Sequence, residues 1–141
     1  MENILAIIFA TLAGVSTSLE AFINGELGKN TTALIATFIS LLVGTIFFFI
    51  SICIIGNLNP LLSFKNINPK LLLGGVLGGL VIYFTVKAIP NLGVSKTLTL
   101  IVVSQMIVGF LIDSYIYKEV MHLYNYIGAI LLFLGTFFIL N

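Results

Sequence analysis

Residues 71–113 read LLLGGVLGGLVIYFTVKAIPNLGVSKTLTLIVVSQMIVGFLID. The run is apolar along its length, and its only charged side chains are Lys87, Lys96 and Asp113. A helix that crosses a bilayer needs about 20 mostly apolar residues. Pro90–Asn91–Leu92–Gly93 interrupts the run near its middle, and proline and glycine are the strongest local punctuators of regular structure. The stretch therefore reads as two spanning helices, 71–89 and 93–112. A tight turn joins them as antiparallel neighbours.

The same pattern recurs on either side. Further apolar spans lie at 4–24, 33–55 and 124–140. Gly25 and Gly28 read as the end of the first helix, and Asn30–Thr31–Thr32 offers caps for the second. Gly56–Asn57–Leu58–Asn59–Pro60 stops the second, and Asn68–Pro69 starts the third with proline in its tolerated first-turn position. Phe/Ile/Val-rich runs such as 46–55 would suit strands. Spans of about 20 residues between turn signals favour helices over the shorter, alternating strands of a membrane barrel.

Composition agrees. Hydrophobic residues make up 60% of the chain, charged residues 8%, and the mean hydropathy is +1.22. Soluble domains carry about 25% charged residues, so the chain reads as an all-α integral membrane protein with five transmembrane helices. Residues 1–141 form one membrane domain, with no room for a soluble one. The first span does not read as a cleaved signal peptide, because Glu2 stands where a positive flank belongs and the apolar stretch is too long.

The six lysines, with no arginine, are shared evenly between the two sides of such a chain. Lys65, Lys70 and Lys118 fall on one side, and Lys29, Lys87 and Lys96 on the other. Lys/Arg excess normally fixes orientation by holding cytoplasmic loops inside. An even split leaves little to choose between two insertions, and an odd number of spans puts the chain ends on opposite faces. Two oppositely inserted copies would reproduce the inverted repeat of many secondary transporters. The expected partner is thus a second copy in an antiparallel homodimer, or a homologous subunit of opposite orientation.

Small residues mark faces suited to close helix contact in lipid. Gly74–Gly75 with Gly78–Gly79, Ser40 with Gly44, and Gly128 with Gly135 are read as packing positions. In the first span Ala6, Ala10, Ala13, Thr17, Glu20 and Asn24 share one helical face. Ile7, Ile8, Leu12, Val15, Leu19 and Phe22 form the opposite surface. The small-then-polar stripe should face protein or a water-filled cavity. Glu20 lies ~5 Å below one surface if this helix ends at Ile23, and deeper if it continues to Leu27. A charge at the bilayer centre costs at least ~2.5–3.5 kcal/mol. A carboxylate there binds a cation or a proton but not both, which is the minimal mechanism of proton-coupled exchange.

A second cluster lies in the fourth span, where Gln105, Gly109 and Asp113 share a face with Ser104 and Thr97 nearby. Gln105 reads equally as a bridge between helices or as a substrate contact. Asp113 reads as an interfacial carboxylate that closes the helix. Tyr83 offers a ring for an organic cation, and Lys87 reads as snorkelling to the interface or pairing with Glu20. Glu26 and Lys29 form an exposed pair of little energetic consequence.

Cys53 is a lone thiol, and the lone His122 reads as an interfacial polar residue beside Lys118 and Glu119. Neither provides a disulfide framework or a metal cluster. A near-neutral chain without a basic stretch is not a nucleic-acid binder. Phosphate-loop, zinc-helix and serine-elbow motifs are absent from the sequence, so no enzyme activity, cofactor or metal is expected.

Three segments together resemble the YdcZ-like family, small bacterial five-helix proteins of the drug/metabolite transporter superfamily. They are Gly74–Gly75–Val76–Leu77–Gly78–Gly79, Ile89–Pro90–Asn91–Leu92–Gly93, and the run from Ser104–Gln105 to Ile112–Asp113. Ser40-Leu41-Leu42-Val43-Gly44-Thr45 and Gly128-Ala129-Ile130-Leu131-Leu132 fit the same pattern. The resemblance covers nearly the whole chain. It implies a multi-pass protein of the bacterial inner (plasma) membrane, built from two oppositely oriented five-helix units. It supplies no substrate. The family pattern usually has glutamine where this chain has Glu20. The more distant small multidrug resistance transporters carry a first-helix glutamate that serves both proton and cation.

The expected function is export of a small organic cation or metabolite by alternating access in a dual-topology dimer. The expected substrate and proton site comprises Glu20, Asn24, Thr17, Gln105, Ser104 and Tyr83. A passive dual-topology channel and a non-transporting membrane subunit are the rival readings.

Overall fold

The computed structural model describes residues 2–56, 68–118 and 122–141. Lys65, Asn57–Pro60 and Glu119 lie outside them. The described elements are all helical. They are α1 (Glu2–Asn30), α2 (Ala33–Ile55), a 3₁₀ turn (Pro69–Leu72), α3 (Leu73–Ile112), a π turn (Asp113–Tyr117) and α4 (Leu123–Leu140). These make four helical runs long and apolar enough to cross a membrane.

Local chemistry sets several of the ends. Thr32 caps α2 by accepting from the Ile35 backbone N–H at 3.2 Å. Gly56 closes α2 in the left-handed region at φ 79°, and its N–H donates to the Ile52 carbonyl. That conformation suits glycine because it has no Cβ. Asn68 Oδ1 accepts from the Lys70 N–H at 3.1 Å, with Pro69 in the first turn behind it.

Two expected boundaries are corrected. The first helix does not stop at Gly25 or Gly28 but runs to Asn30. Between 71–89 and 93–112 the expected break is present, as a kink that joins two helical segments at Gly93. Helical structure continues through Pro90, and only Gly93 leaves the helical region, at φ 79° and ψ 168°. Pro90 has no N–H for the carbonyl of Val86, which weakens the ladder one turn before that break. Asp113 likewise does not close its helix. The chain winds on through the π turn to Lys118, at φ 54°, whose N–H donates to the Asp113 carbonyl.

The chain divides into two compact units, Met1–Asn91 and Leu92–Asn141. In the first, Ala21 and Asn24 of α1, Ala36 and Thr37 of α2, and Thr85, Val86 and Ile89 of α3 are buried, and α1 approaches both α2 and α3 around Asn24–Gly28. Gly25 and Gly28 make this contact possible. A Cβ on Gly25 would sit 2.9 Å from Ile89 Cγ2, and one on Gly28 would overlap Val86 Cγ1. The glycines read as helix stops are therefore the points where α1 meets α3. By contrast, a Cβ on Gly74, Gly75, Gly78, Gly44, Gly128 or Gly135 would meet nothing within 4 Å. Of the glycine pairs in α3, Gly79 alone approaches a neighbour, Leu41 Cδ1 at 3.2 Å from its Cβ position.

In the second unit Thr97, Val103 and Thr136 are buried. The hydroxyls of Thr97 and Thr136 donate to the carbonyls of Gly93 and Leu132 at 2.7 and 2.8 Å. Such back-bonding satisfies a hydroxyl within its own helix. Lys96 Nζ donates to the Leu140 carbonyl at 2.7 Å. A cation placed there satisfies a free carbonyl and complements the negative end of the α4 dipole. Lys96→Met is expected to fray that turn at a cost of about 1 kcal/mol. Amide hydrogen exchange should quicken at residues 137–141 and stay unchanged in the middle of α4.

Most large apolar side chains are exposed, among them Ile7, Phe9, Phe38, Phe47, Leu77, Phe84, Ile130 and Phe138. A chain that leaves this much apolar surface uncovered has hydrocarbon or another apolar surface as its natural surroundings.

Candidate acidic groove in the first unit

The continuation of α1 to Asn30 fixes where Glu20 sits. Glu20 precedes Asn30 by ten residues, about 15 Å along the axis, and Glu26 by about 9 Å. Glu26 and Lys29 pair with each other at the exposed end of the helix. Glu20 thus lies more than two turns before the end of α1.

Asn24, one turn on, is 5% exposed. Its Nδ2 donates to Ser40 Oγ of α2 at 3.1 Å and to Glu20 Oε1 at 3.4 Å. An amide nitrogen carries two hydrogens, so one group serves both contacts. An unpaired amide in an apolar span is costly. Asn24 avoids that cost by bridging α1 and α2.

Glu20 opens onto a groove of about 540 Å³. Seven residues of α2 line it, Ser40, Leu41, Gly44, Thr45, Phe48, Phe49 and Ile52, together with Ile82 of α3. No lysine or histidine is among the lining residues. One carboxylate, an N–H donor behind it and a wall with two aromatic rings suit a hydrophobic cation. The carboxylate supplies opposite charge, and phenyl faces attract cations by their quadrupole.

The structure brings together only part of the expected site. Glu20 and Asn24 are joined directly. Thr17 is exposed and donates to the Ala13 carbonyl at 2.9 Å, outside the groove lining. Ala6, Ala10 and Ala13 are exposed too. The predicted stripe is therefore covered by the chain only towards its Asn24 end. Lys87 Nζ lies 5.4 Å from the centroid of the Tyr83 ring, so the chain's own cation occupies that ring face. Among the described residues the salt bridge is Lys29–Glu26, and Lys87 makes none with Glu20.

Ser104 and Gln105 belong to the second unit. Both are exposed, and the Ser104 hydroxyl donates to the Leu100 carbonyl at 2.8 Å. That unit has its own groove of about 270 Å³, lined only by apolar residues such as Met106, Phe110 and Phe133.

Ser40, Phe48 and Phe49 were not expected as site residues. A signal existed, because Ser40, Gly44 and Phe48 fall four apart beside Leu41, Thr45 and Phe49. Together they mark one continuous face. Ser40 and Gly44, at the spacing of a helix-packing face, line the groove, and Ser40 also joins α2 to α1 through Asn24.

A protein-family model described as "Putative inner membrane exporter, YdcZ" matches residues 5–138 of the chain. Neither the curated proteins nor the solved structures contain a match.

Proposed function

The chain belongs to the YdcZ family, whose description is that of an inner membrane exporter, and from that membership we propose a secondary transporter that exports a small organic cation or metabolite. The chain is a multi-pass inner membrane protein. In this reading Glu20 holds either the cation or a proton, so that movement of one is exchanged for the other. The observation that carries it is the groove: a carboxylate inside an apolar span, backed by Asn24 and facing Phe48 and Phe49, with no lining cation to neutralise it.

Helix length supports five crossings. The 40 residues of α3 would extend about 60 Å if straight, twice the ~30 Å hydrocarbon core. Two crossings with the break at Pro90–Gly93 fit that length and, with α1, α2 and α4, bring the total to five. Together with the evenly divided lysines, this supports insertion in both orientations and an antiparallel dimer. A dimer would supply Glu20 twice. Gln105 and Ser104, which belong to the second unit, are candidates for lining a path completed by the second copy.

Protein reconstituted in liposomes is expected to concentrate a labelled hydrophobic cation against its gradient when a pH difference is imposed. Rapid conduction without accumulation would mark a channel, and absence of flux with a co-purifying partner would mark a subunit. Reporter fusions at the C-terminus are expected to give comparable signals from both sides of the membrane. A single strong signal would eliminate dual insertion.

A further inference from the structure

Ser40 differs from the other hydroxyl residues of α2. Thr37, Thr45 and Ser51 each donate to a carbonyl of their own helix, at 2.7, 2.7 and 2.8 Å. Ser40 Oγ instead accepts a hydrogen from Asn24 Nδ2 at 3.1 Å. A hydroxyl that accepts from one side turns its own hydrogen elsewhere, and among the described residues no group receives it. Ser40 is half-buried and lines the groove. The groove thus presents a carboxylate acceptor and a hydroxyl donor, both within hydrogen-bond range of one nitrogen.

The rest of the wall has little to offer a polar ligand atom. Leu41, Phe48, Phe49, Ile52 and Ile82 form no hydrogen bonds through their side chains, and the hydroxyl of Thr45 is committed to the Leu41 carbonyl. A ligand acceptor bound anywhere but beside Ser40 would lose its water without replacement.

We infer that the groove selects cations that carry a hydrogen-bond acceptor, an ester, ether or hydroxyl oxygen, a short linker away from the charge. Glu20 neutralises the charge, and the Ser40 O–H donates to the acceptor. The inference rests on the exporter reading, since it needs Glu20 as the cation site. It makes Ser40 the residue that determines specificity between polar and purely apolar cations.

The test uses the purified full-length protein and two probes with the same trimethylammonium head. Acetylcholine carries an ester, and n-pentyltrimethylammonium has a hydrocarbon chain of similar length. The readout is the ratio of their dissociation constants. Wild-type protein is expected to favour acetylcholine, and Ser40→Ala to shrink that preference about three- to tenfold, the range of one net hydrogen bond. Ser40→Cys, close in size but a weak donor, should behave like Ser40→Ala. A residue that merely packs would move both constants together and leave the ratio unchanged. An unchanged ratio in both variants, with Glu20→Gln weakening binding of both probes about ten- to a hundredfold, would overturn this inference and leave the exporter reading standing. Undiminished binding of both probes to Glu20→Gln would overturn the site itself and this inference with it.

Discussion

Glu20→Gln is expected to abolish cation movement driven by a pH gradient in reconstituted vesicles. The substitution keeps the shape of the side chain and its ability to accept from Asn24 Nδ2, so the α1–α2 bridge through Ser40 survives. It removes the one ionisable group among the residues that line the groove. Hydrogen bonds and contacts that involve a charge contribute roughly 1.5–3 kcal/mol, so cation affinity should fall by about ten- to a hundredfold. Coupling should fail altogether, because an amide takes no proton in exchange. Transport that retains its pH dependence in this variant would remove Glu20 from the mechanism. Gradient-independent leak at the wild-type rate would not rescue the coupling claim, since coupling requires accumulation.

Gly28→Ala is expected to be the most damaging small substitution in the first unit. The added methyl would overlap Val86 Cγ1, and Val86 is 2% exposed and β-branched, so it has little freedom to turn aside. Overpacking of this kind costs about 1–3 kcal/mol. That exceeds the roughly 0.5–1 kcal/mol that alanine gains over glycine within a helix. The thermal unfolding midpoint in detergent should drop. The double variant Gly28→Ala/Val86→Ala should recover part of the loss, because the second change vacates the space that the first one fills. Gly74→Ala, which meets nothing within 4 Å, should leave the midpoint within the scatter of a neutral surface change. Equal effects of Gly28→Ala and Gly74→Ala would contradict the α1–α3 contact.

These two positions show what the sequence reveals and what it hides. The bounds of α2 are legible because Thr32 and Gly56 act through their own backbone neighbours. The end of α1 is not. Glycine reads as a stop when considered alone, but Gly25 and Gly28 are needed for the approach of Ile89 and Val86, some sixty residues further on. The Pro90–Gly93 segment is half legible. Its residues announce a disturbance, yet proline is tolerated within membrane helices, and only Gly93 departs from helical geometry. At the site, Glu20 and Asn24 are found by their four-residue spacing on one helix. Ser40 is only half legible: its four-residue spacing with Gly44 and Phe48 marks one face of α2, but not that this face meets Asn24 of α1. Tyr83 is a chemically reasonable choice that does not line the groove. The reason is visible, since Lys87 covers its ring.

The central claim is that Glu20 holds a cation or a proton but never both. Proton release on cation binding tests it directly, measured with purified protein in weakly buffered detergent solution and a saturating hydrophobic cation, across a series of acid to neutral pH values. The account predicts that cation binding expels protons from the wild-type protein and that Glu20→Gln releases none. Cation binding that releases no protons at any pH, or release that persists unchanged in Glu20→Gln, would contradict it.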